Sequence, residues 1–231
     1  MITTASSVVP ADAVRLGAQY DGKTDRYFAG ARQDFVAMLP ASSDAAILEV
    51  GCGSGDTGAL VLAQGRAARY TGIDISAKAA AKAAGVLSEV LIGDVERMPL
   101  PWAPATCDAL VLSEVLEHLV DPWQALTRLA PLVRQDGLVL ASSPNVAHYS
   151  IIAGLAKGRF ELADFGAMDR THMRWFTPRT YAGLLESAGF QVDLVAPVTP
   201  FAPRTRLLSR LTGGRIDHLF MRQIMVRGRK R

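Results

Sequence analysis

The stretch AAILEVGCGSGDTGALVL, residues 45–62, changes character twice. Ala45–Val50 is an apolar run broken only by Glu49, the length of a strand and apolar toward both faces, as burial inside a parallel sheet demands. Gly51, Gly53, Gly55 and Gly58 then alternate with small or polar residues, which suits a tight turn whose backbone can come close to a ligand. From Ala59 to Leu62 the chain is apolar again, in residues that favour a helix. Strand, glycine turn and helix in that order are the opening unit of a parallel α/β fold.

The alternation continues outward from this unit. YTGID (70–74) is a second strand ending on an acid, and Ser76 caps an Ala/Lys helix closed by Gly85. EVLIGD (89–94) and CDALVLSE (107–114) are third and fourth strands. Asp121 and Pro122 open a helix in which Gln124 completes a capping-box pattern, and GLVLASSP (137–144) is a fifth strand. Thr177 and Pro178 begin another helix that Gly189 ends, before a last pair of strands, FQVDLVAPV (190–198) and HLFMRQIMV (218–226). On the other side, Tyr27, Phe28, Ala31, Phe35, Val36 and Leu39 recur at helical spacing over residues 24–39, and Pro40 stops the pattern. With 231 residues, 49% hydrophobic and 20% charged, the chain supports one full core and falls short of two domains. The expected fold is α/β, a doubly wound and mostly parallel sheet with helices on both faces.

Gly53–Gly58 matches G-x-G-x-x-G to the letter, which raises a dinucleotide site and a nicotinamide oxidoreductase. Asp56 argues against that. A pyrophosphate at the first helical turn needs bare amides and the positive end of the helix dipole, and a carboxylate there repels it. A ligand carrying an ammonium and a sulfonium is drawn by acids instead, and Glu49 and Asp56 frame the loop. S-adenosylmethionine carries both groups, and its ribose needs an acceptor at the end of the second strand, where Asp74 stands.

Four motifs in order, E-V-G-C-G-S-G (49–55), G-I-D (72–74), G-D-V-E (93–96) and S-E-V-L-E-H-L (113–119), make residues 27–195 resemble the class I S-adenosylmethionine-dependent methyltransferases. The resemblance implies a seven-stranded sheet with an antiparallel last strand, formed by a hairpin. It implies that Gly51, Cys52, Gly53 and Gly55 cradle the cofactor, that Asp74, followed by Ile75, bonds the ribose, that Asp94 and Val95 border the adenine, and that Ser113 lies beneath the methionine moiety. Glu49 serves either the ligand or the loop amides. Tyr27 and Arg32 are read as a lid over the cofactor, with the core and the solvent as their alternative settings. Y-F-A-G-A-R (27–32), S-P-N-V-A-H-Y (143–149), G-R-F (158–160) and D-R-T-H-M-R-W-F-T (169–177) are similar to a bacterial subgroup associated with sugar and surface-polysaccharide pathways. The single domain, 1–231, then divides into an N-terminal helical lid (1–44), a cofactor-binding half (45–142), an acceptor-loop region (143–177) and a C-terminal helix and strand hairpin (178–231).

The acceptor side is read from residues that can move protons or hold polar groups. His148 and Tyr149 are candidates for acceptor binding, with a hydrogen-bonded surface histidine as the alternative. Arg170 and Arg174 either grip a polar acceptor or support their own loop, and Trp175 either joins them or packs. Glu114-x-x-Glu117-His118 places side chains three and four apart after the fourth strand, where a helical turn would gather them around one point. A similar E-x-x-E-H, completed by a later histidine, occurs in the ubiquinone-biosynthesis O-methyltransferases and the small-RNA 2′-O-methyltransferases. That likeness implies a divalent cation, Mg²⁺, Mn²⁺ or Zn²⁺, held by Glu114, Glu117, His118 and His172. Without metal, the four residues are helix-end acids and general-base candidates, His172 and His118 being the expected catalytic groups.

The expected activity is methyl transfer from S-adenosylmethionine to a hydroxyl, less readily an amine, of a small polar acceptor such as a sugar or diol. The competing reading is a non-catalytic cofactor-binding partner similar to MetW-like proteins. The formal charge of +3 is uneven, since residues 201–231 carry nine Lys/Arg against one acid, net +8, and the rest is net −5. That segment is expected to close the sheet through Leu219, Phe220, Ile224 and Val226 with its arginines solvated, and the sequence carries no clear nucleic-acid signature. The longest charge-free stretch, Gly137–Ala156, is interrupted by Pro144, Asn145 and His148 and reads as a loop, not a membrane helix. No secretory leader is evident at the N-terminus, so the expected compartment is the cytoplasm. Cys52 and Cys107 are too few for a disulfide framework and are expected as free buried thiols. Oligomeric state is left open.

Overall fold

The computed structural model describes residues 30–231. Tyr27 and the part of the expected N-terminal helix before residue 30 lie outside the described residues. The remainder of that helix is α1 (Gln33–Met38), which buries Phe35 and Val36. There follow β1 (Ala46–Val50), α2 (Asp56–Ala63), β2 (Arg69–Asp74), α3 (Ala77–Ala83), β3 (Glu89–Ile92), β4 (Cys107–Ser113), α4 (Pro122–Leu129), β5 (Val133–Pro144), α5 (Tyr149–Leu155), α6 (Pro178–Ser187), β6 (Phe190–Pro197), α7 (Pro203–Thr212) and β7 (Gln223–Lys230).

The strands form one seven-stranded sheet in the order β3-β2-β1-β4-β5-β7-β6, with β7 antiparallel to both its neighbours and the other pairings parallel. Successive strand residues point to opposite faces. Ile47, Ala109 and Val111 therefore pack with Phe35, Val61 and Ala80 of α1, α2 and α3, while Leu48, Leu110 and Leu112 pack with Leu126, Tyr181 and Leu184 of α4 and α6. Covering both faces is what makes such apolar strands stable. The chain order reverses between β1 and β4, and the crevice beyond the C-terminal ends of these strands is where an open α/β sheet binds its ligand.

The helix signals act as the sequence implies. Ser76 accepts from the amide of Ala79 (3.2 Å), Asp121 from that of Gln124 (3.0 Å), and Thr177 and Thr180 form a reciprocal capping box behind Pro178. The C-terminal segment departs from expectation. Asp217–Leu219 form a 3-10 turn, so Leu219 and Phe220 precede the last strand, which starts at Gln223 and runs on to Lys230. Arg227 belongs to that strand, paired with Leu140 of β5 and Leu194 of β6, and its Nε donates to Asp193 Oδ1 on β6 (2.8 Å), a cross-strand pair that hydropathy cannot show. β6 and β7 are joined not by a tight hairpin but by residues 198–222, which contain α7. Both cysteines are free and buried, and burial pushes the Cys107 thiol up to about 12. Among the described residues, no helix is long and apolar enough to cross a membrane.

Candidate cofactor and acceptor site

The C-terminal ends of the strands open onto a cavity of about 850 Å³, walled at one end by Glu49, Gly51, Cys52, Gly53, Asp74, Ile75, Asp94, Val95 and Ser113. The glycine loop bends through left-handed backbone at Gly51 (φ 72°), Gly53 (φ 54°) and Gly55 (φ 84°). A Cβ on Gly51 would also lie 2.5 Å from Val115 Cγ2, so the turn is closed to larger residues twice over. Asp74 ties this loop to the end of β2, its Oδ2 accepting from the Gly53 amide and its Oδ1 from the Ser76 amide, both at 2.8 Å. Asp94 Oδ1 accepts from the Glu96 amide (2.9 Å), and Val95 beside it is buried.

Glu49 lines the cavity and bonds the Tyr70 hydroxyl rather than the loop amides. Its Oε2 accepts from the Tyr70 hydroxyl (2.9 Å), and the side chain is 3% exposed. Burial pushes its carboxyl up to about 8, and the nearby Asp74 charge adds to this, against the opposing effects of the Tyr70 hydrogen bond and the Arg32 charge. Gly55 is the N-cap of α2 and lies outside the cavity wall; a Cβ there would press on Val86, Ala83 and Leu87. Asp56, expected to face a cationic ligand, instead accepts the amide of Gly30 (2.6 Å), while Thr57 Oγ1 accepts that of Arg32 (3.1 Å). These two contacts hold the segment before α1 against α2. They aim Arg32 across the cavity, where its guanidinium donates to Ser113 Oγ (2.5 Å) and Ser142 Oγ (2.8 Å) and pairs with Asp34 (2.8 Å).

The other end of the cavity is built by the turn after β4 and the segment before α6. Glu114 has φ 54°, so the 3-10 turn Leu116–His118 begins beyond it, and the helical turn expected to join Glu114 to Glu117 or His118 does not form. Gln223 Nε2 donates to Glu114 Oε2 (3.1 Å). The remaining three, Glu117, His118 and His172, do converge, each offering a donor atom within 4.8 Å of the others. The Glu117 carbonyl accepts the amides of Met173 (2.8 Å) and Arg174 (3.0 Å), which brings His172 over the turn. His118 Nδ1 faces the Thr171 carbonyl and His172 Nδ1 the Ala167 carbonyl, both at 3.3 Å. A carbonyl can only accept, so each neutral ring keeps its proton on Nδ1 and its lone pair on Nε2.

Glu117 is 1% exposed, and neither carboxylate oxygen has a hydrogen-bond partner among the described residues. Burial, then the charge of Glu114, holds its carboxyl well above the usual range, and burial likewise raises Glu114. A buried, unpartnered carboxylate beside two oriented imidazoles is a donor set that fits a borderline divalent ion.

His148 caps α5, its Nδ1 paired with Ser150 Oγ (2.8 Å), and both it and Tyr149 line the cavity. Burial, with Arg222 nearby, lowers the His148 pKa. Arg170 and Arg174 lie outside the cavity wall. Arg170 pairs with Asp164 (2.9 Å) and Arg174 donates to the carbonyls of Val120 and Met173, so both brace the loop, while Trp175 packs edge-on against Phe160. Among the wall residues that the sequence does not single out are Arg222, Gln223 and Thr199, from the C-terminal segment. The signal for them was Asn145, polar yet fully buried, whose Nδ2 donates to the carbonyls of His218 (2.6 Å) and Met221 (2.7 Å) and pins that segment to the end of β5.

Known proteins resemble the chain in sequence and fold. A protein of Mycolicibacterium smegmatis named "probable S-adenosylmethionine-dependent methyltransferase" is 28% identical over 77% of this chain, which spans 64% of that relative's length. A ubiquinone biosynthesis O-methyltransferase of Xylella fastidiosa is 27% identical over 78% of this chain and 75% of its own. Among solved structures, an S-adenosylmethionine-dependent methyltransferase from Mesorhizobium loti shares the fold, with a TM-score of 0.62 and 18% identity over 88% of this chain and 100% of that one. The model of the family described as "Methyltransferase domain" matches residues 20–195, and the chain belongs to that family.

Proposed function

We propose that this protein transfers the methyl group of S-adenosylmethionine to a hydroxyl of a small polar acceptor. The observation that carries the reading is one continuous cavity that joins the acid-framed glycine loop to the Glu117–His118–His172 cluster. When bound, S-adenosylmethionine supplies an electrophilic methyl on a sulfonium that departs as a neutral thioether. Asp74 accepts the ribose hydroxyls at the end of β2, Asp94 and Val95 flank the adenine, and the glycine loop lets the backbone approach. Glu49 meets the ammonium of the methionine moiety, and Arg32 its carboxylate. Transfer from a sulfonium needs in-line approach, so holding the acceptor at the far wall supplies much of the acceleration. The acceptor oxygen attacks as its proton passes to an imidazole Nε2, that of His172 or His118.

Glu117, His118 and His172 would hold a divalent cation, with two imidazoles favouring Mn²⁺ or Zn²⁺ over Mg²⁺. Its chemistry there is that of a Lewis acid that lowers the acceptor hydroxyl's pKa. Labelled S-adenosylmethionine, offered with a panel of diols, sugars and amines, tests the activity. Methylated oxygen is the expected product, and no turnover with any acceptor while the cofactor still binds would favour a non-catalytic binding partner. His172→Ala is expected to lower turnover by at least about a hundredfold while leaving S-adenosylhomocysteine affinity nearly unchanged. Activity abolished by chelation and restored by Mn²⁺ or Zn²⁺ supports the cation; full activity in metal-free protein leaves the imidazoles as bases acting alone.

A further inference from the structure

Helix α7 is turned the wrong way round for a helix packed on a protein. Its less exposed positions are Thr205, Ser209 and Thr212, whereas Leu207, Leu208 and Leu211 are 58%, 38% and 76% exposed. At i, i+1 and i+4 the three leucines share one face, opposite the Ser/Thr side. No residue of the helix is buried. From Leu194 to Ile216 the chain has four arginines, Arg204, Arg206, Arg210 and Arg215, and no acid.

Helix α5 repeats the pattern. It too has no buried residue, and Tyr149, Ile152 and Leu155, one face at i, i+3 and i+6, are all about half exposed. α5 lines the cavity opening, and the segments on either side of α7 meet it there. Tyr149 lies 6.0 Å from the ring of Phe220 in the turn after α7, and the cavity wall takes Tyr149 and Ile151 from one side and Thr199 and Arg222 from the other.

We propose that α7, with the outward face of α5, docks the protein on the surface of an anionic phospholipid bilayer, with the cavity mouth turned toward the lipid. Leucines presented outward can sink into the boundary between headgroups and acyl chains, while arginines on flexible stems reach the phosphates. The charge selects this occupant, because the arginines along and just after α7, with no acid between Leu194 and Ile216, complement a surface of negative headgroups. The inference stands apart from the methyl-transfer reading, since it concerns the surface around the cavity and not the chemistry inside it.

Flotation of the full chain with vesicles tests it. Binding is expected to phosphatidylcholine vesicles containing about a third phosphatidylglycerol, weakening roughly fivefold for each of Arg204, Arg206 and Arg210 changed to Gln. Leu207→Asp with Leu211→Asp alters only exposed side chains, so its melt should match the wild type while flotation is lost. Amide exchange over residues 203–212 should slow on adding the anionic vesicles, a readout that needs no variant. No flotation of the wild type, equal flotation with pure phosphatidylcholine, or flotation that survives the leucine changes would overturn the proposal. So would a dimer in solution that the leucine changes dissociate, since the face would then join two copies of the chain.

Discussion

At Glu49 the burial that makes the residue easy to overlook also makes it a sensor of its ligand. Its carboxyl stays protonated up to about pH 8 in the ligand-free protein, because a carboxylate buried near the end of β1 loses its water. An ammonium placed beside it reverses the balance, and binding must then expel the proton. S-adenosylhomocysteine affinity is accordingly expected to rise with pH, by up to about tenfold per unit between about pH 6 and 8, and to flatten above. Glu49→Gln, which keeps an acceptor for Tyr70, should bind more weakly above about pH 8 and lose the slope. Calorimetry in buffers of different ionisation enthalpy would show the released proton; a flat profile in the wild type would place the ammonium elsewhere. Asp74 and the glycines were legible because a left-handed turn and a strand-end acid leave composition signals at fixed spacing. Glu114 lines the cavity but stands apart from the Glu117–His118–His172 cluster, because spacing reports a helical face only where the backbone is helical and its φ of 54° breaks the turn. Asp56 was misread for a related reason: its partner is the amide of Gly30, distant in sequence and invisible to any local pattern.

Strands and helices with local start and stop signals were read almost to the residue, as Ser76, Asp121 and Thr177 show. The expected last strand begins before β7 does, because Leu219–Met221, in and after the 3-10 turn, lengthen the apolar run ahead of it and the charged half of β7 looks like a tail. Its position between β5 and β6 makes it structural: Ile224 and Val226 are fully buried, and Leu138–Pro144 and Phe190–Pro197 both pair with it. Truncation after Pro200 is therefore expected to leave a chain without a cooperative melt, since β6 would lose its only neighbour in the sheet. A soluble truncation that melts cooperatively would show that the first five strands fold alone. α7 went unread because its leucines face outward, and hydropathy patterns are informative about helices that pack, not about helices that dock.

For the molecule as a whole, the topology decides where chemistry can occur. Reversal of strand order at β1 and β4 opens a crevice, the glycine loop and Asp74 shape one end, and the long return from β6 to β7 brings Arg222 and Gln223 to the other. The general fold follows from strand and helix periodicity, whereas the acceptor end depends on contacts such as Asn145 with His218 and Met221 that join segments far apart in sequence. Titration of the protein with S-adenosylhomocysteine, with NAD as the comparison, tests the central claim most directly. One equivalent of S-adenosylhomocysteine should bind and NAD should not, and Asp74→Ala should weaken binding by about 1.5–3 kcal/mol through loss of charged-acceptor hydrogen bonds. Failure of the wild type to bind S-adenosylhomocysteine, or tighter binding of NAD, would contradict the account.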